Sequence, residues 1–280
     1  MSRRSGRALA TLLGVAILAA TLSSCAGTSP EATASAAGIR IVRFQLHRRL
    51  LRRDLSEIGV VPPGAPSGAK RPLLVFLFGR NGTPESGVNA AITMEADDGA
   101  AAPAIVLADG DPDTYWHDRA SGPWGTSIVE ELIPEAGRRL DVDTGRVSIA
   151  GISMGGFGAL DIARLWPGRF CSVGAHSAAV WPTGGQTAAG AFDDAQDFAR
   201  HDLFGYARTA AHPFGATPVW MDVGASDPFR PNDAALAASL SKAGARVSFH
   251  SWPGGHNSDY WKRHLARYAA FDAHALATCA

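Results

Sequence analysis

Cysteine is scarce in this sequence, which has three cysteines among 280 residues. Cys171 lies in a predicted buried strand, and Cys279 is the penultimate residue. Neither has a neighbour that would activate its thiol, which argues against cysteine-based catalysis. An exported protein could join the two in a disulfide bond. The sequence cannot place their Cα atoms, so it leaves this pairing open.

An excess of either charge is also missing, because 26 lysines and arginines balance 26 aspartates and glutamates. We therefore expect no surface basic enough to bind nucleic acid. One local basic run extends from Arg40 to Arg53. It could contact anionic lipid headgroups, although a solvent-exposed face of N-terminal strands is the favoured interpretation.

Motifs for cofactors and metals are lacking as well. The chain has neither a phosphate-binding loop nor a dinucleotide-binding fingerprint. Asp109, Asp111 and Asp113 have the spacing that begins a calcium loop, but Thr114 and Ala120 stand where that loop needs glycine and glutamate. We therefore expect no cofactor and no metal.

An apolar run long enough to span a bilayer is absent from the N-terminus. Residues 8–22 are uncharged and follow three arginines, but a spanning helix needs about 20 apolar residues. The pattern is typical of a signal peptide. It ends in residues 22–25, Leu-Ser-Ser-Cys, which resemble the lipobox of bacterial lipoproteins. This resemblance implies a signal peptide at 1–24, cleavage before Cys25 and a diacylglycerol on its sulfur, so that the exported protein is anchored to the membrane at the cell surface.

A short polar segment follows Cys25. Residues 26–38 are small and polar, without an apolar period, which predicts a flexible tether over residues 25–38. Residues 39–280 have the length of one α/β domain, with no internal repeat.

Short apolar runs alternate with helical patterns along this domain. Near-continuous apolar runs are typical of parallel strands covered on both faces, and the alternation predicts an α/β fold with a mostly parallel sheet. The predicted strands are 73–78, 104–108, 146–150, 172–176, 218–223 and 247–251. The predicted helices are 127–139, which a capping box of Ser127 and Glu130 would open, 155–166, 232–243 and 259–276. Residues 40–61 are expected to add antiparallel strands at one edge.

Residues 181–213 interrupt the alternation. Long insertions between strands are usually functional or loosely ordered. This one could cap the active site and shape the acyl pocket, or form a surface excursion with its own small core. Trp116, Trp181 and Phe192 could line the pocket, although ordinary packing is the favoured interpretation.

Residues 151–155 read Gly-Ile-Ser-Met-Gly, the G-x-S-x-G pattern of a nucleophile elbow. The pattern follows a predicted strand and opens a predicted helix, which is the context that it requires. Such a turn lifts the hydroxyl of Ser153 out of the strand. The N-terminus of the next helix offers positive potential and N–H groups to a developing oxyanion. Ser153 is therefore the predicted nucleophile.

A serine nucleophile needs a general base, and after an elbow of this kind the acid and then the histidine follow along the chain. Seven histidines follow Ser153. Of these, His256 lies in a glycine-rich loop beyond the last predicted strand, at the edge where open α/β sheets keep their sites. Asp227 lies in the loop beyond Gly224 and can turn towards His256, whereas Asp222 is still within the strand pattern. Asp227 is therefore preferred as the acid.

The oxyanion hole needs two N–H donors. Met154 follows the nucleophile directly and is the first candidate. The second is expected in the loop after the strand that ends at Phe78, and we assign it to the backbone N–H of Arg80.

The run RVSIAGISMGGFGAL at residues 146–160 resembles the esterase D family of α/β-hydrolases. That family includes feruloyl and acetylxylan esterases, S-formylglutathione hydrolases and mycolyltransferases. The similarity continues through residues 132–134, 167–170, 224–227 and 254–261. It implies an α/β-hydrolase fold with helices on both faces of the sheet and a triad of Ser153, Asp227 and His256. One departure is Phe78-Gly79-Arg80, where many members have His-Gly after the strand, which affects the oxyanion hole and the first contacts with substrate.

These features predict a serine esterase that hydrolyses a carboxylic ester of a small molecule, glycan or lipid through an acyl-enzyme on Ser153. Acyl transfer to a sugar or lipid hydroxyl, as in mycolyltransferases, uses the same triad and stays open. A catalytically silent binding protein is disfavoured because all three triad candidates are present. The identity of the substrate and the oligomeric state do not follow from the sequence.

Overall fold

The computed structural model describes residues 31–34, 38–64, 70–98 and 102–279. The predicted signal peptide and the lipidation site at Cys25 lie outside these residues. Within them, no helix is both long and apolar enough to cross a membrane.

A nine-stranded sheet forms the centre of the molecule, in the order β1-β2-β3-β5-β4-β8-β9-β10-β11. Neighbours from β5 to β11 are parallel, and those from β1 to β5 on the other side are antiparallel. The mostly parallel sheet and its antiparallel edge confirm the predictions. The strands are β1 (Glu31–Ala34), β2 (Arg40–Arg48), β3 (Arg53–Val61), β4 (Arg71–Leu77), β5 (Ala104–Leu107), β8 (Val142–Ile152), β9 (Val173–His176), β10 (Val219–Gly224) and β11 (Val247–Trp252), with β6 (Asp118–Arg119) and β7 (Gly122–Pro123) forming a separate hairpin.

Helices cover both faces of this sheet and divide the interior into two main cores. One core includes Phe157 and Leu160 of α4 and Leu236 of α7, and the other includes Val88 and Met94 of α1 with Leu265 of α8. The helices are α1 (Pro84–Asp98), α2 (Trp124–Ser127), α3 (Ile133–Leu140), α4 (Met154–Leu165), α5 (Ala195–Arg200), α6 (Leu203–Thr209), α7 (Arg230–Lys242) and α8 (Ser258–Thr278), with a π-helical turn at Ile128–Leu132 that joins α2 and α3.

Helix α1 is absent from the predictions and is explained by local features. Pro84 occupies its first position, where a missing N–H costs nothing. Thr83 and Ser86 exchange hydrogen bonds at the same end. Val88, Ala91 and Met94 recur at three-residue spacing and are buried against the sheet. Because alanine and glycine take up much of this face, the apolar period is weak in the sequence.

The predicted capping box at Ser127 is wrong, because the helical segment begins earlier, at Trp124. Ser127 has helical backbone angles and makes no side-chain cap. Its buried hydroxyl instead donates to the carbonyl of Trp124 and accepts from Arg48. A serine with two such partners inside the fold has no reason to cap a helix.

Two expectations at the N-terminal edge also change. Glu31–Ala34, inside the predicted tether, pairs with β2 as an antiparallel edge strand, because an open strand edge offers backbone groups to any adjoining chain. The basic run is not a uniformly solvated face, since Arg48 is fully buried and donates twice to Glu57. Arg53 likewise pairs with Asp111.

Candidate active site

Ser153 lies at the turn between β8 and α4 with a backbone φ of 56°. A non-glycine residue rarely adopts a positive φ, so this turn is strained, as expected of a nucleophile elbow. The two glycines of the motif allow close packing around it. A Cβ atom on Gly155 would overlap the carbonyl oxygen of Leu77, and one on Gly151 would overlap Gly155. The helix can therefore begin directly against the sheet.

His256 reaches Ser153 from the loop after β11. In that loop Gly254 has a φ of 145°, and its carbonyl accepts from the N–H of Ser226 at 2.8 Å. This bond ties together the loops after β10 and β11, which carry Asp227 and His256. Nε2 of His256 lies 2.9 Å from Oγ of Ser153, and Nδ1 lies 2.8 Å from Oδ2 of Asp227. The structure thus brings together the three residues that the sequence proposes as a triad.

The carboxylate of Asp227 is held in place on its other side. It is 4% exposed, and its Oδ1 accepts from the N–H of Phe229 at 2.9 Å. Because the carboxylate can only accept, Nδ1 of His256 carries the proton of that bond. Nε2 then presents its lone pair to the hydroxyl of Ser153, which is the tautomer that a general base needs.

Two aromatic rings flank the imidazole of His256. The centroids of Phe229 and Trp261 each lie 5.2 Å from that of His256. Trp261 is itself fixed by a bond from its Nε1 to Oγ of Ser177 at 3.1 Å. Sequence reasoning missed the role of both rings, although the family similarity extends to Trp261.

Asp222, the competing acid candidate, does not contact His256. It is fully buried and accepts from Nδ1 of His176 at 2.6 Å and from the hydroxyls of Tyr260 and Tyr268, both at 2.8 Å. Trp220 donates to it as well. Burial alone would raise the pKa of Asp222, but His176 and the donated hydrogen bonds lower it below its usual value. The preference for Asp227 over Asp222 agrees with this geometry.

The loop after β4 lies over the nucleophile. A Cβ atom on Gly79 would stand 3.3 Å from Cβ of Ser153, so this loop approaches the serine as closely as a glycine allows. The side chain of Arg80 turns away, with Nε 2.7 Å from Asp113 and Nη2 donating to the carbonyl of Ala189 at 3.0 Å. Met154 begins α4 on the other side of Ser153. Both predicted oxyanion donors therefore belong to segments that adjoin the nucleophile.

A cavity of about 580 Å³ opens at Ser153 and His256. Tyr115, Phe229 and Trp261 line it, together with Ala188 of the insertion. Trp116, Trp181 and Phe192 do not border it and serve in packing. The sequence offers no signal that separates Tyr115 from the neighbouring Trp116.

The insertion at 181–213 contains α5 and α6 and packs on the main core beside the cavity. Ala188 borders the cavity, whereas Phe192 packs among Tyr115, Phe157 and Phe198 in an aromatic cluster. Trp181, Leu203 and Phe204 belong to the same core as α4, so the insertion does not form a core of its own, and Ala188 borders one side of the site.

A buried group of polar residues attaches the insertion to α4. Potential ligand atoms of His117, Asp197 and His201 lie within 4.8 Å of one another, the one such group among the described residues. His117 Nε2 lies 3.0 Å from Asp197, and His201 Nδ1 lies 2.7 Å from Asp161 of α4. Asp197 also accepts from Arg200 and from a backbone N–H. Because these bonds already engage the carboxylates, the group is explained as a hydrogen-bond network.

The fold and the placement of these residues define the class of the protein. The elbow follows a central parallel strand, and the histidine loop lies at the same edge of the sheet. That arrangement is the α/β-hydrolase fold.

Comparisons with known proteins identify the family. Residues 56–271 match the family model described as Putative esterase. The S-formylglutathione hydrolase of Paracoccus denitrificans (strain Pd 1222) is 30% identical over 198 residues, which cover 60% of this chain and 68% of that protein. A ferulic acid esterase superposes with a TM-score of 0.72 at 21% identity, over 85% of this chain and 98% of the other. An S-formylglutathione hydrolase from Agrobacterium tumefaciens gives the same TM-score and identity, over 88% and 98%.

The chain belongs to the Putative esterase family and is a carboxylic ester hydrolase. This confirms the family, the fold and the enzyme class that residues 146–160 predict. The two solved structures show the shared fold.

Proposed function

We propose that this protein hydrolyses a carboxylic ester through an acyl-enzyme on Ser153, with His256 as general base and Asp227 as its orienting acid. One observation carries the proposal: a continuous hydrogen-bonded chain from Ser153 through His256 to Asp227, with links of 2.9 Å and 2.8 Å, faces the cavity. A serine hydroxyl is a poor nucleophile without such a base.

In the first half of the reaction, Oγ of Ser153 attacks the ester carbonyl as Nε2 of His256 takes its proton. The oxyanion that forms accepts hydrogen bonds from the N–H of Met154, at the N-terminus of α4, and from the N–H of Arg80, in the loop after β4. His256 then gives the proton to the leaving alcohol. In the second half, His256 activates water, which attacks the acyl-enzyme, releases the carboxylic acid and restores the hydroxyl of Ser153. Asp227 stabilises the imidazolium in both halves.

The test compares the purified protein with Ser153→Ala on p-nitrophenyl esters. We expect the loss of the nucleophile to lower kcat by about 10⁴-fold or more. Ser226→Ala is the matched control, because Ser226 is exposed on the neighbouring loop. Equal activity of the wild type and Ser153→Ala would overturn the proposal. A product that carries the acyl group on an added sugar, in place of free acid, would assign acyl transfer to the same triad.

We also propose that the protein is exported and anchored by lipid at Cys25. The lipobox-like residues 22–25 support this, as does the bond between Cys171 and Cys279, because disulfides persist in oxidising compartments. Mass spectrometry of the mature N-terminus tests the proposal. A diacylated cysteine is expected, and a chain that retains residues 1–24 would contradict it.

A further inference from the structure

The cavity at Ser153 extends into the second core of the protein. Along β4, β5 and β8, every second side chain points to the same face of the sheet, and these side chains form the floor of the cavity. Helices α1 and α8 form its walls through Ala90, Ala91 and Leu265. The floor consists of Phe76, Phe78, Ile105, Leu107 and Ile152.

The part of this cavity between the sheet, α1 and α8 is lined by apolar side chains. Met94 and Ile105 line its far wall, and behind them lies a separate void of only about 10 Å³. Protein cores are close-packed, with few voids larger than a water molecule. A cavity lined by aliphatic and aromatic side chains stays dry and binds apolar ligands. The volume of the whole cavity, about 580 Å³, is in the range of ligand-binding sites.

The strand register gives the depth of the cavity. Ile105 pairs with Leu74, which in turn pairs with Ser148, five residues before Ser153 on β8. At about 3.3 Å per strand residue, the far wall lies roughly 16 Å below the nucleophile. Along α1 the lining runs from Gly87 to Met94, which is about 10 Å at 1.5 Å per residue. An extended chain advances about 1.2 Å per bond, so roughly 8 to 13 bonds fit this depth.

We propose that the cavity binds the acyl chain of the substrate and that the enzyme prefers unbranched acyl groups of medium length, from octanoyl to dodecanoyl. This inference rests on the proposed function of Ser153. The acyl group stays in the site from the first half of the reaction to the end of the second, which suits an apolar pocket beside Ser153. The alcohol must leave and water must enter between the two halves, which suits the partly exposed position of His256.

The first experiment measures kcat/KM of the full chain for p-nitrophenyl esters from acetate to palmitate. Burying a methylene contributes about 0.8 kcal/mol, so kcat/KM is expected to rise up to about fourfold per methylene. The rise should end between octanoate and dodecanoate, and palmitate should be a poorer substrate. A profile that is flat or falls from acetate onwards would overturn the inference while Ser153-dependent hydrolysis remained. A second series, of acetyl esters with lengthening alcohols, would overturn it if selectivity appeared there alone.

Variants on α1 test the location of the chain. Ala91→Phe fills the cavity and is expected to lower the octanoate-to-acetate ratio of kcat/KM by at least tenfold. Met94→Ala removes part of the far wall and should move the preferred length upward. The control is Asn89→Leu, on the exposed face of the same helix, which should leave the ratio unchanged. Unchanged ratios in both cavity variants would contradict the assignment.

A binding measurement separates this inference from the catalytic proposal. Ser153→Ala is titrated with free decanoate by calorimetry and compared with Ser153→Ala carrying Ala91→Phe. Binding that the second substitution weakens at least tenfold supports acyl binding in the cavity even if no ester is hydrolysed. Absence of decanoate binding would overturn acyl binding in the cavity, and absence of Ser153-dependent hydrolysis would overturn the proposed function alone.

Discussion

Asp222 and Asp227 lie on one strand and the loop that follows it, yet they have different partners. Asp227 contacts His256 and the N–H of Phe229, at the edge of the cavity. Asp222 accepts from His176, Tyr260 and Tyr268 inside the protein. The first arrangement suits orientation of a base. The second joins β9, β10 and α8 beneath the active site and suits stability.

Substituting each aspartate by asparagine should separate these roles. Asp227→Asn offers His256 an amide in place of a carboxylate, so we expect kcat to fall on the order of 10⁴-fold with little change in stability. Asp222→Asn removes the buried charge that faces His176, so we expect a loss of about 3–5 kcal/mol in the free energy of unfolding. Urea denaturation and ester hydrolysis measure the two effects. If Asp222→Asn were inactive at native stability, the assignment of the acid would be wrong.

At the scale of elements, the buried network of His117, Asp197, His201 and Asp161 attaches the insertion to α4. Burial lowers the pKa of His117, although Asp197 opposes this. Burial alone would raise the pKa of Asp197, but the N–H of Asp193 and His117 lower it. The network therefore favours a neutral His117 beside an ionised Asp197.

This network predicts a loss of stability at mildly acidic pH. The pKa of His117 is lower in the folded state than in the unfolded state, where it is about 6.5. At a pH between these two pKa values, the unfolded chain binds more protons than the folded protein does. The free energy of unfolding therefore decreases as the pH falls below about 6.5.

The test measures urea denaturation of wild type and His117→Gln over this pH range. We expect the variant to have a shallower slope, by at most about 1.4 kcal/mol per pH unit. Burial also lowers the pKa values of His250 and His264, so part of the wild-type slope should remain. Identical slopes in the two proteins would show that His117 titrates normally.

At the scale of the whole molecule, the disulfide between Cys171 and Cys279 connects residues that are 108 positions apart. Cys171 lies just before β9, the third strand from one edge of the sheet, and Cys279 directly follows α8. The bond thus fixes the C-terminal helix across the sheet. That helix also carries Trp261 and Leu265, which line the cavity.

Removing this bond should lower stability measurably. Cys279→Ser is expected to lose about 2–5 kcal/mol in the free energy of unfolding, because the unfolded chain has more conformational entropy without the cross-link. Thermal denaturation with and without a reducing agent is the measurement. Reductant should lower the Tm of the wild type towards that of the variant and leave the variant unchanged. If the wild type had the same Tm as the variant and that Tm did not change with reductant, the bond would not form.

The sequence by itself determined the features that depend on neighbouring residues. Apolar runs and their spacing predicted the buried strands, α4, α7 and α8, because burial on one or both faces imposes these periods. The elbow at Ser153 was recognisable because a strained strand-to-helix turn requires glycines at 151 and 155. The loop position of His256 followed from Gly254-Gly255, since glycines mark a turn beyond a strand.

Only the tertiary structure decided the features that depend on residues far apart in the chain. The pairing of Cys171 with Cys279, the separate partners of Asp222 and Asp227, and the buried partner of Arg48 all require strands and helices to be placed in space. The cavity also depends on tertiary packing, because small residues of α1 leave a space that exists only when the helix lies on the sheet. Local patterns record burial and turns, whereas contacts between distant segments arise from packing.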